Sequence, residues 1–219
     1  MSADRYSLRA IMPDTLPRGE VRAMTRQHLV GPLPVAYALL GCFFLAERLL
    51  RQGSEAASLE AGQTDQGTTC AIGRAFGQSI VALAAAPLLN RWRLGRLTAL
   101  RMAWSGVAAM VAGLMVRVWA ARVLGAFYTR TLRTSTTQPL VEDGPYRLVR
   151  HPGYLGVLLL WLGAGLASAN VLVAGLIAIS MGRAYRRRIR SEEAMLTETF
   201  GEDYVDYTRR TWRLIPWVY

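Results

Sequence analysis

Apolar and polar positions divide this chain into five apolar runs separated by polar, arginine-bearing segments. The runs cover about Pro34 to Leu50, Ile72 to Leu89, Leu97 to Leu124, Gly153 to Ala167, and Asn170 to Tyr185. A membrane-spanning helix needs about 20 predominantly apolar residues. The first three runs meet that need, and the last two draw on their flanks. Ser168–Ala169–Asn170 is a small turn between the last two runs, which predicts a tight helical hairpin. No stretch alternates with a period of two over a useful length, and no internal repeat is visible. The expected fold class is therefore all-α: a polytopic helical membrane protein with about five transmembrane helices and a C-terminal helical cytoplasmic cap. The expected boundaries are 1–33 for a polar tail or interfacial helix, 34–124 for three transmembrane helices, and 125–219 for a functional core.

Between the runs, Arg51 to Thr69 reads as an exposed loop rich in Gly, Ser, Thr, Gln and acids. Gly125 to Pro152 is a long, mostly polar segment. After Arg186 the chain turns polar and amphipathic, which predicts a soluble helical tail ending near Ile215. Phe200–Gly201 marks a break in that tail, and Trp212 and Trp217 suit a membrane interface.

Composition sharpens the class. The chain has 219 residues, 52% hydrophobic and 19% charged, with a mean hydropathy of +0.20. That length suits one domain. The apolar excess excludes a disordered, collagenous or coiled-coil chain and argues against an ordinary soluble globule. The formal net charge is +11, and every cation is arginine. The arginines lie between and beside the apolar runs, as in loops that touch anionic lipid. No zinc spacing or basic-aromatic stripe points to nucleic acid. Cys42 and Cys70 are too distant in sequence to suggest a disulfide framework or a metal site, and Cys42 reads as a core thiol. Residues through Met24 contain no apolar signal-peptide segment, and the C-terminus carries no prenylation motif.

Charge leaves the topology open. Five spans put the two ends on opposite sides. Yet the N-terminal tail, the Arg91–Arg96 connector and the C-terminal tail are all basic, and the positive-inside tendency pulls all three toward the cytoplasm. The C-terminal tail has the densest charge and is the best guide.

Three constellations carry candidate chemistry. The first is Gly144–Pro145–Tyr146–Arg147–Leu148–Val149–Arg150–His151–Pro152–Gly153–Tyr154–Leu155–Gly156. It lies where the chain re-enters the membrane. Pro152 suits the first turn of a helix, whose free N–H groups can meet an anionic ligand. Gly153 and Gly156 allow close backbone approach. Arg150 and His151 add a fixed charge and a titratable donor. The plainer reading is an interfacial anchor of tyrosines and arginines.

The second is the run from Arg183 to Arg190, followed by Glu192 and Glu193. Arg183, Arg186, Arg187 and Arg190 share one helical stripe. Arg188 and Glu192, four apart, share another. A solvated basic face explains most of these arginines. It explains the adjacent acids less well, because a carboxylate pair opposes anionic lipid but can bind ribose hydroxyls or an ammonium group. The third is Arg117, deep in the third run. A charge at such depth costs at least about 2.5–3.5 kcal/mol. It reads either as a cation at a substrate site or as a side chain snorkelling toward the interface near Arg122.

Together these motifs resemble the isoprenylcysteine carboxyl methyltransferase family of integral membrane enzymes. The resemblance runs from about Leu124 to Pro216. It rests on Leu124–Gly125 with Phe127, Leu140–Val141, Gly144–Pro145–Tyr146, and Arg150–His151–Pro152 with Tyr154 and Gly156. It continues through a helical hairpin, Arg188, Glu192–Glu193 with Leu196, Phe200–Gly201 with Tyr204 and Tyr207, and Ile215–Pro216. Residues before about Ala99 add only membrane helices. The resemblance makes 125–219 a methyltransferase core and implies S-adenosyl-L-methionine as methyl donor. It implies a donor pocket at the cytoplasmic face of the inner or plasma membrane. His151, Pro152, Tyr154, Leu155 and Gly156 would contact the donor by position, with Tyr146 and Arg150 nearby. Glu192 and Glu193 match an acidic pair around the donor that related phospholipid methyltransferases share. Arg188 and Arg117 look like arginines near the substrate channel. The implied catalytic set is Arg188, Glu193 and Arg117, with no metal.

The implied acceptor is a lipophilic small molecule or a lipidated substrate entering from membrane lipid, and a carboxylate of isoprenylcysteine type comes first. Such an acceptor needs no general base, whereas an amine or thiol would need its proton removed, with His151 or Glu193 as candidates. Two rivals remain at this point. Sterol and steroid reductases share the Arg-His-Pro-x-Tyr pattern and a similar tail but use NADPH; they are generally longer, and a phosphate-rich cofactor would prefer cations where Glu192 and Glu193 sit. A non-catalytic membrane scaffold of the same fold is the other, since fold does not fix function.

Overall fold

The computed structural model describes residues 31–50, 67–89, 96–125 and 140–218. The expected tail over most of 1–33, most of the 51–69 loop, the Arg91 and Arg93 connector and Phe127 lie outside the described residues. Five long helices stand where the five apolar runs predict them: α1 (Pro32–Leu50), α2 (Thr68–Ala85), α3 (Arg96–Leu124), α4 (Pro152–Ala167) and α5 (Val171–Phe200). A short α6 (Glu202–Arg210) follows, and a 3-10 turn over Gly144–Arg147 precedes α4. Among the described residues no strand forms; the extended chain contributes one isolated bridge, Val149 with Trp212.

The fifth apolar run ends at Tyr185, but α5 continues to Phe200. No Gly or Pro falls between Arg183 and Phe200, so nothing stops the helix until Gly201, which takes a φ of +55°. One helix thus carries an apolar half, the arginine stripe and the acidic pair. Among the described residues two helices, Pro32–Leu50 and Leu97–Leu124, are long and apolar enough to cross a membrane, and Pro152–Ala167 is a shorter apolar helix. Large apolar side chains such as Leu45, Val81, Met115, Leu172 and Ile179 face outward, as in an integral membrane protein.

The helices run alternately up and down. Tyr37 donates to the Leu83 carbonyl (3.2 Å) and Asn170 Nδ2 to the Leu89 carbonyl (3.2 Å), which puts the start of α1, the end of α2 and the α4–α5 hairpin at one end. Arg117 reaches Glu47, and Arg188 reaches Thr68, at the other end. The residues flanking the Arg91–Arg96 connector therefore lie away from the arginine stripe of α5.

The core is built in two ways. Phe43, Phe44, Phe76 and Trp161 of α1, α2 and α4 pack edge-on or tilted, with centroids 5.0–6.5 Å apart. Between α3 and α4 the packing is backbone on backbone. A Cβ on Gly113 would lie 2.5 Å from the Gly156 carbonyl oxygen, and one on Gly106 would lie 2.5 Å from that of Gly163. Each pair is seven residues, two helical turns, from the next. Small residues of this kind let membrane helices touch along their length. At the hairpin, Asn170 caps α5 by accepting from the Leu172 and Val173 amides (3.0 and 3.2 Å). Cys42 is exposed, contrary to the expected core thiol. The buried positions of α1 are Ala36, Leu40, Phe43 and Glu47, and Cys42 falls off that stripe onto the outward face.

Candidate functional site

The site forms where α3, α4, α5 and the residues after α6 meet. Pro152 occupies the first turn of α4, as expected, and is fully buried. That placement leaves His151 at the helix start. Gly144 takes a φ of +58° and lies so close to α3 that a Cβ would approach Val123 Cγ2 to 2.9 Å. The tight turn is what brings Arg150 and His151 to the end of α5. The chain after α6 clasps the same segment: the Arg150 amide donates to the Trp212 carbonyl (2.8 Å) and the Trp212 amide to the Leu148 carbonyl (2.9 Å).

Glu193 is the hub. Arg150 Nε donates to its Oε1 (3.1 Å), Arg213 Nη2 lies 2.7 Å from Oε2, and His151 Nε2 lies 3.3 Å from Oε1. Arg150 also donates to the carbonyls of Thr208 and Thr211. Burial pushes the Glu193 carboxyl up. The hydrogen bonds and charge of His151 and Arg213 overcome that and hold it at about 2. His151 is buried and stacks on Tyr154, with ring centroids 5.5 Å apart and planes 11° apart.

Glu192 differs from its neighbour. Its Oε2 lies 3.8 Å from His151 Nδ1, is buried, and accepts no hydrogen bond among the described residues. The Tyr204 hydroxyl is likewise buried without a hydrogen-bond partner among the described residues. Burial pushes that hydroxyl up, Glu193 and Glu192 add to the shift, and Arg150 opposes it, so the phenol lies within electrostatic reach of the acidic pair. Tyr207, one turn on, is satisfied: its hydroxyl donates to the Tyr146 carbonyl at 2.7 Å.

The two sequence-predicted arginines flank the start of α4 from opposite elements. Arg188 is only 3% exposed, while Arg183, Arg186, Arg187 and Arg190 face outward, as the stripe predicts. The i, i+4 spacing suggested contact with Glu192. Instead Arg188 Nε donates to the Tyr154 hydroxyl (3.2 Å) and Nη1 to Thr68 and Thr69 Oγ1 (2.9 and 3.2 Å). Arg117 does not depend on snorkelling: its Nε donates to Glu47 Oε1 (2.8 Å), and the pair is largely buried. Arg117 Nη1 lies 2.8 Å from where a Gly153 Cβ would be. Arg188, Glu193 and Arg117 are thus all brought against residues 150–154. Tyr146 is buried beneath them, its hydroxyl directed to the Ala120 carbonyl (3.5 Å), and Gly156 is occupied in the α3 contact. Leu155 is partly buried on the first turn of α4.

Glu47, Thr68, Thr69 and Arg213 were missed in the sequence. Glu47 had a signal, since a lone acid ending one apolar run can answer a lone cation within another. The threonines and Arg213 had none.

The match to known proteins follows this geometry. Residues 106–198 match the model of the isoprenylcysteine carboxyl methyltransferase family, which takes in the glycine-packed helix pair, the Arg150–Gly156 segment and the acidic pair. Over these residues the chain is similar to that family. It is 28% identical over 119 residues to a probable protein-S-isoprenylcysteine O-methyltransferase of Oryza sativa subsp. indica, covering 53% of this chain and 62% of that one. It is 30% identical over 115 residues to protein-S-isoprenylcysteine O-methyltransferase B of Arabidopsis thaliana, covering 52% and 58%. With the Mus musculus protein-S-isoprenylcysteine O-methyltransferase the figures are 29% over 116 residues, 52% and 41%. The chain therefore spans about two-fifths to three-fifths of these relatives. A solved structure of the eukaryotic intramembrane Ras methyltransferase, also an isoprenylcysteine carboxyl methyltransferase, superposes with a TM-score of 0.56 at 21% identity. It covers 84% of this chain and 68% of that one, and the likeness is one of fold.

Proposed function

We propose that this chain transfers a methyl group from S-adenosyl-L-methionine to a lipophilic, membrane-embedded acceptor, most readily a carboxylate of isoprenylcysteine type. The carrying observation is the buried, undonated Glu192 Oε2 beside the His151–Glu193 pair. A buried carboxylate oxygen without a donor is costly. A ligand that presents an ammonium or ribose hydroxyl satisfies it, so the donor's chemistry fits the residues present. The match to the family model over residues 106–198 and the names of the similar proteins support the same reading.

In this reading the donor lies against His151, Pro152, Tyr154, Leu155, Gly156, Glu192 and Glu193, with Arg150 and Tyr146 shaping the floor. When bound, it supplies an electrophilic methyl on a sulfonium sulfur. The protein's own work is positioning, which contributes up to roughly 7–11 kcal/mol when the reacting atoms are held in line. Glu193, held at about 2, is a poor proton acceptor at neutral pH, so its part is to fix His151 and Arg150. Arg188 fixes Tyr154 through its hydroxyl. Arg117, oriented by Glu47, is the cation beside the start of α4 and orients an anionic acceptor. No base is required, because a carboxylate oxygen already carries the electron pair that forms the O–CH3 bond as the S–CH3 bond breaks. The acceptor arrives through lipid, and the donor through water at the end of the bundle bearing Arg150 and Glu193. That end faces the cytoplasm, and all five long helices cross the membrane.

Calorimetric titration of the detergent-purified chain with S-adenosylhomocysteine and, separately, with NADPH tests the reading. Binding of the first alone is expected, followed by labelled methyl transfer to prenylcysteine carboxylates. Binding of NADPH alone overturns it in favour of a reductase. Binding of neither by folded protein favours a scaffold.

A further inference from the structure

We infer that Tyr204 is a donor-binding residue whose hydroxyl, together with Glu192 Oε2, holds one polar end of the methyl donor. This rests on the function proposed above and adds a residue beyond the matched segment 106–198. Two buried polar atoms at this end of the bundle lack a hydrogen-bond partner among the described residues, and they are these two. Their neighbours are all engaged: Glu193 by Arg150, His151 and Arg213, Tyr207 by the Tyr146 carbonyl, and Arg150 by Thr208 and Thr211.

Buried polar groups in folded proteins are almost always hydrogen-bonded, so each exception needs a cause. A buried phenol of no use to the fold would be cheaper as Phe. Glu192 Oε2 can only accept, so the ligand must offer an N–H or O–H there. The Tyr204 hydroxyl can donate or accept. A ribose diol meets both demands, and so does an amino acid end with its ammonium and carboxylate. Tyr204 sits on the same face of α6 as Tyr207 and Thr208, the face turned toward Arg150 and Glu193, and is 2% exposed. Its ring is therefore already placed.

The contrast with Tyr207 makes the test. Tyr204→Phe and Tyr207→Phe each remove one buried hydroxyl and keep the ring. The full chain in detergent is melted without ligand and titrated with S-adenosylhomocysteine and with adenosine. Tyr204→Phe should melt at or above the wild-type temperature while its Kd for S-adenosylhomocysteine rises about five- to tenfold, the size of one lost hydrogen bond. Tyr207→Phe should melt lower. An equal loss of adenosine affinity in Tyr204→Phe assigns the ribose end. A loss confined to S-adenosylhomocysteine assigns the amino acid end. If Tyr204→Phe melts lower and binds as wild type, the hydroxyl serves the fold and the inference fails. If the wild type binds neither probe, the proposed function fails and takes this inference with it.

Discussion

The α3–α4 interface and the charged end of the bundle meet at the start of α4 and are held together by opposite means. Along Gly106–Gly163 and Gly113–Gly156 there is almost no side chain, and backbones approach until a Cβ has no room. A few residues on, Arg150, His151, Glu192, Glu193 and Arg213 fill the space with charge. In lipid the apolar effect does not drive helix against helix, so shape must do so, and glycine gives the closest fit. At the water-facing end ions can be exchanged for solvent, and geometry is set by paired charges that specify orientation. The first region has no room for an added Cβ, whereas the second depends on which charges face one another.

Breaking the first region should have the largest effect. Gly113→Val places a branched side chain where the Gly156 carbonyl and the Leu160 amide already stand (2.5 and 2.7 Å). Both partners are backbone, so α3 and α4 must separate, at a cost of about 3 kcal/mol or more. Size-exclusion chromatography in detergent should show little folded protein. Gly182→Ala, where nothing lies within 4 Å, is the matched control and should be neutral or stabilising by about 0.5–1 kcal/mol.

Glu47→Gln comes next. It removes the carboxylate to which Arg117 Nε donates, at a cost of at most the roughly 3–5 kcal/mol of breaking a fully buried pair. The double variant Glu47→Gln, Arg117→Met should recover much of that loss in a thermal melt. In the proposed reaction it should still bind S-adenosylhomocysteine but lose turnover, which separates the pair's part in folding from its part in orienting the acceptor.

The smallest effect is a pH dependence at the charged end. Glu193 lies near 2 in the folded chain against an ordinary 4.5. A depressed carboxyl contributes stability that is complete above its unfolded value, so the contribution is present above about 4.5 and is lost as pH falls toward about 2. Melting temperatures between pH 6 and pH 3 should show that fall, and Glu193→Gln should flatten it.

Much of the fold was legible because periodicity and length decide helices directly. The five runs, the Ser168–Ala169–Asn170 turn, the break at Gly201 and Pro152 at a helix start all follow from local chemistry. The outward stripe of Arg183, Arg186, Arg187 and Arg190 follows from 3.6-residue spacing, as does the distinct position of Arg188. What failed was any inference that needed a partner from elsewhere. Cys42 looked like a core residue because an apolar run does not say which of its faces meets protein and which meets lipid. The i, i+4 rule offered Arg188 the nearby Glu192, but burial turned it toward Tyr154, Thr68 and Thr69.

The sequence by itself determined which segments are helical, where they stop, and which residue types could hold a methyl donor. It did so because propensity, capping and apolar period act within one or two turns. The tertiary structure alone decided that Glu193 is engaged by Arg150, His151 and Arg213, that Glu192 Oε2 and the Tyr204 hydroxyl have no hydrogen-bond partner among the described residues, and that Glu47 answers Arg117 across 70 residues. Those outcomes depend on distances of about 3 Å between side chains from different helices. Such distances are set by how closely glycine lets the helices approach, and no local pattern encodes them.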